Sequence, residues 1–170
     1  MTKCILISSF ILLCTSVIES SILSNIIFLP AIPDLSLICV VYFSVHNGKI
    51  IGESTGFISG LFLDFLSACP FGFNTLFRTV IGYAGGNFNK TLNTSGFIVP
   101  LILGIIATVV KIFIVNLVTL LFPFANLIPY KLISTDCLFQ IVFNAVLTPL
   151  MFKLLRHFDK SILLKPEEIY

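Results

Sequence analysis

Two aspartates stand in strongly apolar stretches of this sequence, Asp64 within residues 50–68 and Asp136 within residues 132–154. A pair of carboxyl groups in such surroundings can act as general base and general acid, because one carboxylate activates water while the other stays protonated. The two aspartates therefore raise the hypothesis of an intramembrane aspartyl protease.

The residues around these aspartates and around the candidate serine argue against hydrolysis. Neither Asp64 nor Asp136 has the Asn-and-Asp signature that surrounds the catalytic residues of lipoprotein signal peptidases. The segment Gly56-Phe-Ile-Ser59-Gly60 lacks the spacing of a serine nucleophile motif. Neither His46 nor His157 lies in a segment from which it can serve Ser59. We therefore expect a protein that is not an enzyme.

The cysteines and the basic residues indicate neither a metal site nor a nucleic-acid partner. No Cys-x-x-Cys or Cys/His group is present, and the cysteines are scattered through apolar stretches, which fits small buried side chains. The basic C-terminal stretch is too sparse for nucleic-acid binding. We expect no metal, no cofactor and no nucleic acid.

The composition predicts an all-α integral membrane protein. Of the 170 residues, 57% are hydrophobic and only 11% are charged, and the mean hydropathy is +1.08. A bilayer core of about 30 Å needs roughly 20 apolar residues in a helix. Apolar segments separated by turn residues then predict a bundle of six transmembrane helices in a single domain, residues 1–155, followed by a short cytoplasmic tail, residues 156–170. The spans fall at about 4–29, 33–47, 50–68, 71–87, 97–122 and 132–154.

The distribution of basic residues predicts the orientation of the spans. With a cytoplasmic N-terminus, only Lys131 of the flanking lysines falls outside, and six spans return the C-terminus to the cytoplasm. The residues that then fall inside are Lys3, Lys49, Lys90, Lys153, Arg156, Lys160 and Lys165.

A stripe of small residues follows one face of the third span. Gly52, Gly56, Gly60 and Asp64 are four residues apart, so a helix aligns them on one side. Glycines allow another helix to approach closely, and the carboxylate then points into the same contact. Folding spans three and four into a hairpin brings Arg78 near Asp64, with Asn74 close by. We expect an ion pair between Asp64 and Arg78, either as a structural link that holds the hairpin or in binding a partner or a substrate.

Further polar residues fall inside the remaining spans. Glu19 and Lys111 lie near the middle of spans one and five and are expected to pair. Asp136, Gln140 and Asn144 follow at four-residue spacing in the last span. This second stripe predicts either hydrogen bonds between helices or a polar cavity for a ligand, and the spacing leaves both open.

Several short motifs, taken in order, resemble the MreD family of bacterial rod shape-determining membrane proteins. They are Pro33-Asp34-Leu35, Gly56-Phe-x-x-Gly60-Leu-x-x-Asp64, Phe71-Gly72-Phe-Asn74-Thr-Leu76, Gly82-Tyr83 with Gly85, and Phe143-Asn144 with Pro149. The resemblance extends over the whole chain in length and span order, and its motifs are concentrated between residues 30 and 90. Arg78 and Lys111 are not part of it.

The resemblance implies a non-enzymatic inner-membrane subunit of the bacterial cell-elongation machinery, which directs lateral peptidoglycan synthesis. Its partners would be the single-span protein MreC and, through MreC, the filament protein MreB, the wall synthase RodA and a class B penicillin-binding protein. The family is also similar in its six-helix arrangement to the S-components of energy-coupling-factor transporters.

Two hypotheses follow from this resemblance. In the first, the chain is a scaffold whose glycine face packs helices and offers a groove to a partner helix. The residues assigned to packing or partner contact are Pro33, Asp34, Gly52, Gly56, Gly60, Asp64, Gly72, Asn74 and Arg78. In the second, the bundle binds a small molecule in a cavity lined by Asp136, Gln140 and Asn144, as an S-component would.

Overall fold

The computed structural model describes residues 2–25, 30–67, 69–89, 91–122 and 134–163, and these ranges contain helices and no strand. The ends of three expected spans, at 26–29, 68 and 132–133, lie outside the described residues, as do Lys90, Lys131 and the tail from residue 164. The helices are α1 (Thr2–Ser21), α2 (Leu35–Asn47), α3 (Lys49–Leu66), α4 (Phe73–Gly86), α5 (Ile98–Leu121), α6 (Thr135–Arg156) and the short α7 (Asp159–Ile162), with a 3₁₀ turn at Leu23–Asn25.

Among the described residues, three helical segments are long and apolar enough to cross a membrane. They are Lys3–Asn25, Ile98–Leu121 and Thr135–Arg156, and Leu35–Asn47 is a shorter apolar helix. Large apolar side chains such as Phe10, Phe113 and Leu120 point outward from α1 and α5, as expected where the surrounding solvent is lipid. The all-helical prediction is confirmed, and the division into six spans stays a prediction.

Polar caps and glycines set the boundaries of the central helices. Asp34 begins α2, because its carboxylate accepts a hydrogen bond from the Leu37 N–H at 2.9 Å. Gly48 separates α2 from α3 and has a φ of 91°, a backbone conformation that glycine adopts without strain. Ser134 begins α6, and its hydroxyl accepts from the Cys137 N–H. Gly48 alone thus forms the connection between α2 and α3.

The helix α2 forms the centre of the fold. Nearly all of its side chains are buried, including Leu37, Val40 and Phe43, and it contacts α1, α3, α4, α5 and α6. Since α2 has almost no lipid-facing surface, polar residues at its start lie inside the bundle. This position makes Asp34 a meeting point for side chains from the surrounding helices.

The helices α3 and α4 pack closely along the glycine stripe. A Cβ added at Gly52 would lie 3.0 Å from the Gly82 carbonyl carbon, and one added at Gly60 would lie 2.5 Å from the Thr75 nitrogen. The stripe therefore faces α4 inside the same chain. The expectation that this face offers an open groove to a partner helix is wrong, because α4 already covers the glycines.

Candidate functional site

Four ionisable side chains from α1, α4, α5 and the start of α2 form a buried charge cluster: Glu19, Asp34, Arg78 and Lys111. The Asp34 carboxylate is its centre, with one oxygen 2.5 Å from Arg78 Nη2 and the other 2.7 Å from Lys111 Nζ. Glu19 Oε1 lies 3.9 Å from the same Arg78 nitrogen. The cluster holds two acidic and two basic groups, so its formal charges cancel.

Hydroxyl groups satisfy further donors and acceptors of the charge cluster. Ser36 Oγ donates to Glu19 Oε2 at 2.7 Å and accepts from Arg78 Nη1 at 2.8 Å. Ser59 Oγ of α3 accepts from the same Arg78 nitrogen at 3.0 Å. Because buried charges are tolerated only when they are paired and hydrogen-bonded, these hydroxyls help to stabilise the cluster inside the bundle.

Asn144 connects the charge cluster to α6. Its Oδ1 accepts from the Asp34 N–H at 3.0 Å, and its Nδ2 donates to Thr108 Oγ1 of α5 at 3.1 Å. Side chains of α1, α3, α4, α5 and α6 thus all connect to the first turn of α2. Such a network fixes the relative positions of helices that apolar packing alone leaves free to slide.

The structure corrects the expected ion pair between Asp64 and Arg78. Asp64 instead accepts hydrogen bonds from the N–H groups of Gly72, Asn74 and Thr75 at the start of α4, at 2.9 to 3.2 Å. It also accepts from Asn74 Nδ2 and from Thr75 Oγ1. The first turn of a helix offers unpaired N–H groups and a positive dipole end. The Asp64 carboxylate therefore takes its hydrogen bonds from the start of α4 and not from Arg78.

The expected partners Glu19 and Lys111 do belong to one site. Lys111 donates to Asp34 at 2.7 Å, and Glu19 accepts from Ser36 beside that aspartate. The sequence therefore indicated three members of the charge cluster, Glu19, Arg78 and Lys111, but not their centre. Asp34 was assigned only through the resemblance, as the start of span two.

Replacing Asp64 with alanine is expected to lower the free energy of unfolding by about 2 kcal/mol, because the cap on α4 and several charge-assisted hydrogen bonds disappear together. Asp64→Asn keeps one carbonyl acceptor, so its free energy of unfolding should lie between that of the wild type and that of Asp64→Ala. Thermal denaturation in mild detergent measures both. The control Glu53→Ala removes an exposed carboxylate from the same helix, and an equal effect of the two alanine variants would contradict the capping role.

A cavity of about 560 Å³ opens beside the charge cluster, where α1 and α3 end and α2, α4 and α6 begin. Asp136 and Gln140, two of the three residues that the cavity alternative named, line it, whereas Asn144 is not among its lining residues. Asn144 is buried and bonded to Asp34 and Thr108 instead. The cavity is also lined by all four members of the charge cluster.

The structure places the two aspartates of the protease hypothesis in different surroundings. Both Asp64 oxygens are occupied by donors at the start of α4, while Asp136 is exposed at the cavity. Within the described part of the chain, no three His, Cys, Asp or Glu side chains are placed to hold a metal ion. The arrangement is suited to holding helices together and to binding a polar group in the cavity.

The described residues form helices, three of them long and apolar enough to cross a membrane, and this is the architecture of a helical membrane protein. The family model of the rod shape-determining protein MreD matches residues 1–158. The chain belongs to the MreD family, which confirms the resemblance drawn from the motifs and assigns the chain a role in rod shape determination. No curated protein and no solved structure matches the chain.

Proposed function

We propose that the chain is a non-enzymatic scaffold subunit of the rod-shape complex in the bacterial inner membrane. It binds an MreC-like single-span protein and, through that protein, an MreB-like filament, RodA and a class B penicillin-binding protein. The observation that carries the proposal is the family match over residues 1–158. The distribution of lysines supports six spans with both termini in the cytoplasm.

A groove at the surface of α4 and α5 is the place we propose for the partner helix. It has a volume of about 310 Å³, and no polar surface lines it. Its residues on α5 lie at helical spacing along about three turns, roughly 16 Å at 1.5 Å per residue, so its shape suits an elongated apolar occupant. The residues that line it are Val41, Ile81, Ala84, Gly85, Phe88, Leu92, Val99, Ile102, Leu103, Ile106, Ala107 and Val110.

Small residues in this groove favour a helix as the occupant. Ala84, Gly85 and Ala107 lie among its lining residues, and small side chains let helix backbones approach closely within a membrane. Ile102 and Ile106 remain about half exposed at the rim. A single-span partner can therefore place its apolar face against this groove, as in other helix-in-groove contacts.

The test is affinity purification of the tagged protein from its own membranes in mild detergent, followed by mass spectrometry. We expect the wild-type chain to recover a single-span coiled-coil protein and wall synthases. Ile106→Trp should fill the groove and reduce that recovery about tenfold, a loss of about 1.4 kcal/mol in binding. The control Val142→Trp changes an exposed apolar residue of α6 and should recover the partner as the wild type does.

Two results would contradict this proposal in different ways. Full recovery with Ile106→Trp would mean that the partner binds at another face, and lipid chains would then be the occupants of the groove. Recovery of a small integral subunit with paired ATPases, and of no single-span protein, would support the alternative function of an S-component-like binding subunit. The cavity beside Asp136 and Gln140 is the observation that favours this alternative.

A further inference from the structure

A short helix covers the end of the bundle where α1 begins and α6 ends. The helix α7 follows α6 after a two-residue connection and packs against α1. It lies just beyond residues 1–158, the part of the chain that the MreD family model matches. The helix α7 is therefore an addition to the segment that this chain shares with the family.

Contacts at both ends of α7 hold it in place. Ile162 is fully buried and belongs to the main apolar core. Its carbonyl oxygen accepts a hydrogen bond from the Cys4 thiol of α1 at 2.8 Å. The Asp159 carboxylate accepts a hydrogen bond from the Tyr42 hydroxyl of α2. One end of this short helix is thus bonded to α2 and the other end to α1.

The helix α7 depends on these contacts, whereas the side chains beneath it do not depend on α7. It has four residues, and no described side chain caps its start, while isolated helices shorter than about 12 residues are marginal in water. The Tyr42 ring stacks on His46, with 4.1 Å between ring centroids, and meets Phe152 edge-on at 5.0 Å. These ring contacts remain when only the hydrogen bond to Asp159 is lost.

We propose that α7 is a strap, which can leave the bundle and return while the helices beneath it stay folded. Segments that are held by few contacts open locally at a lower free energy than the whole protein. Release uncovers the Tyr42 hydroxyl, the apolar site that Ile162 fills and the Cys4 thiol. The strap is independent of the scaffold role, because it involves neither the groove at α4 and α5 nor a partner protein.

Pulse labelling of the full-length protein with a maleimide in mild detergent, followed by peptide mass spectrometry, measures this release. Cys4 reports the opening of α7, and Cys39, which is fully buried in α2, reports the opening of the bundle. Cys69 is exposed and gives the rate of an accessible thiol. We expect the labelling rate of Cys4 in the wild type to lie between those of Cys69 and Cys39.

Variants on both sides of the contact between α7 and α2 weaken the strap. Tyr42→Phe and Asp159→Ala should each raise the labelling rate of Cys4 about tenfold, as the loss of one hydrogen bond to a charged group allows. The double variant should show the same tenfold increase, because both substitutions remove one bond. Ile162→Ala should raise the rate about thirtyfold. The labelling rate of Cys39 should stay at its wild-type value in all four variants.

The matched control is Thr94→Val, which removes a different hydroxyl at the same end of the bundle. The Thr94 hydroxyl is bonded to His46 Nε2 at 3.0 Å, next to the Tyr42 ring but not to α7. We expect this variant to leave the labelling rate of Cys4 as it is in the wild type.

The pattern of labelling decides between a strap and two other structures of this region. Equal Cys4 rates in the wild type and in the variants of Tyr42, Asp159 and Ile162 would overturn the proposal, because the start of α1 would then open without α7. A parallel rise at Cys4 and Cys39 would also overturn it, since α7 would then be an integral part of the bundle. A rise at Cys4 alone, absent from Thr94→Val, would support the strap.

Discussion

Replacing Arg78 with methionine is expected to lower the free energy of unfolding by about 3–5 kcal/mol, the loss that follows when one partner of a buried ion pair is removed. Arg78 is 1% exposed and lies 2.5 Å from an Asp34 oxygen, and it also donates to Ser36 and Ser59. Without the guanidinium, Asp34 and Glu19 share the single charge of Lys111 in a buried site.

Thermal denaturation in mild detergent and the yield of monodisperse protein measure this loss. The control is Lys153→Met, which removes an exposed cation from α6 and should change the free energy of unfolding by about 0.5 kcal/mol or less. A melting temperature of Arg78→Met equal to that of the control would show that the charge cluster does not stabilise the fold.

A second substitution tests whether the loss arises from unbalanced charge. Asp34→Asn keeps an oxygen that can cap the Leu37 N–H but removes one negative charge. In the double variant with Arg78→Met, Glu19 and Lys111 again balance each other. We expect the double variant to be more stable than the sum of the single losses predicts, by about 1–3 kcal/mol. Strict additivity would contradict a shared electrostatic origin.

The sequence allowed the local features of this fold to be predicted. Hydropathy and turn residues located the helices, and the four-residue spacing of Gly52, Gly56 and Gly60 identified a face for close helix contact, which in the structure meets α4. The same spacing could not say whether the helix in contact belongs to this chain or to a partner. Glycines permit a close approach by any helix, so the glycine stripe does not identify which helix packs against it.

The pairing of the buried charges could not be predicted in the same way. Folding α3 against α4 correctly places Asp64 near the start of α4, but the free N–H groups of a helix start compete with Arg78 for the carboxylate. Asp34 was the signal that was missed. An aspartate after proline at the start of an apolar run is a typical helix cap, and a capping carboxylate that is buried needs cations, which here come from Arg78 and from Lys111, 77 positions later.

Replacing Gly56 with alanine is expected to destabilise the fold by about 3 kcal/mol, at the upper end of the cost of adding one methyl group to a packed core. The added Cβ would lie 2.8 Å from the Arg78 carbonyl carbon and 3.0 Å from the Thr79 Cα, and closer still to the Arg78 carbonyl oxygen. These atoms are backbone, so a side-chain rotation cannot relieve the contact and α4 must move away from α3.

Two opposing effects decide the sign of this prediction. Alanine favours a helix over glycine by about 0.5–1 kcal/mol, which alone would stabilise α3. The displacement of α4 outweighs that gain, because Arg78 belongs to α4 and a shift of its backbone also draws the guanidinium away from Asp34. The matched control is Gly96→Ala, where an added Cβ meets nothing within 4 Å. Thermal denaturation of the two variants in the same detergent gives the comparison, and a Gly56→Ala protein as stable as the control would show that α3 and α4 are not in close backbone contact.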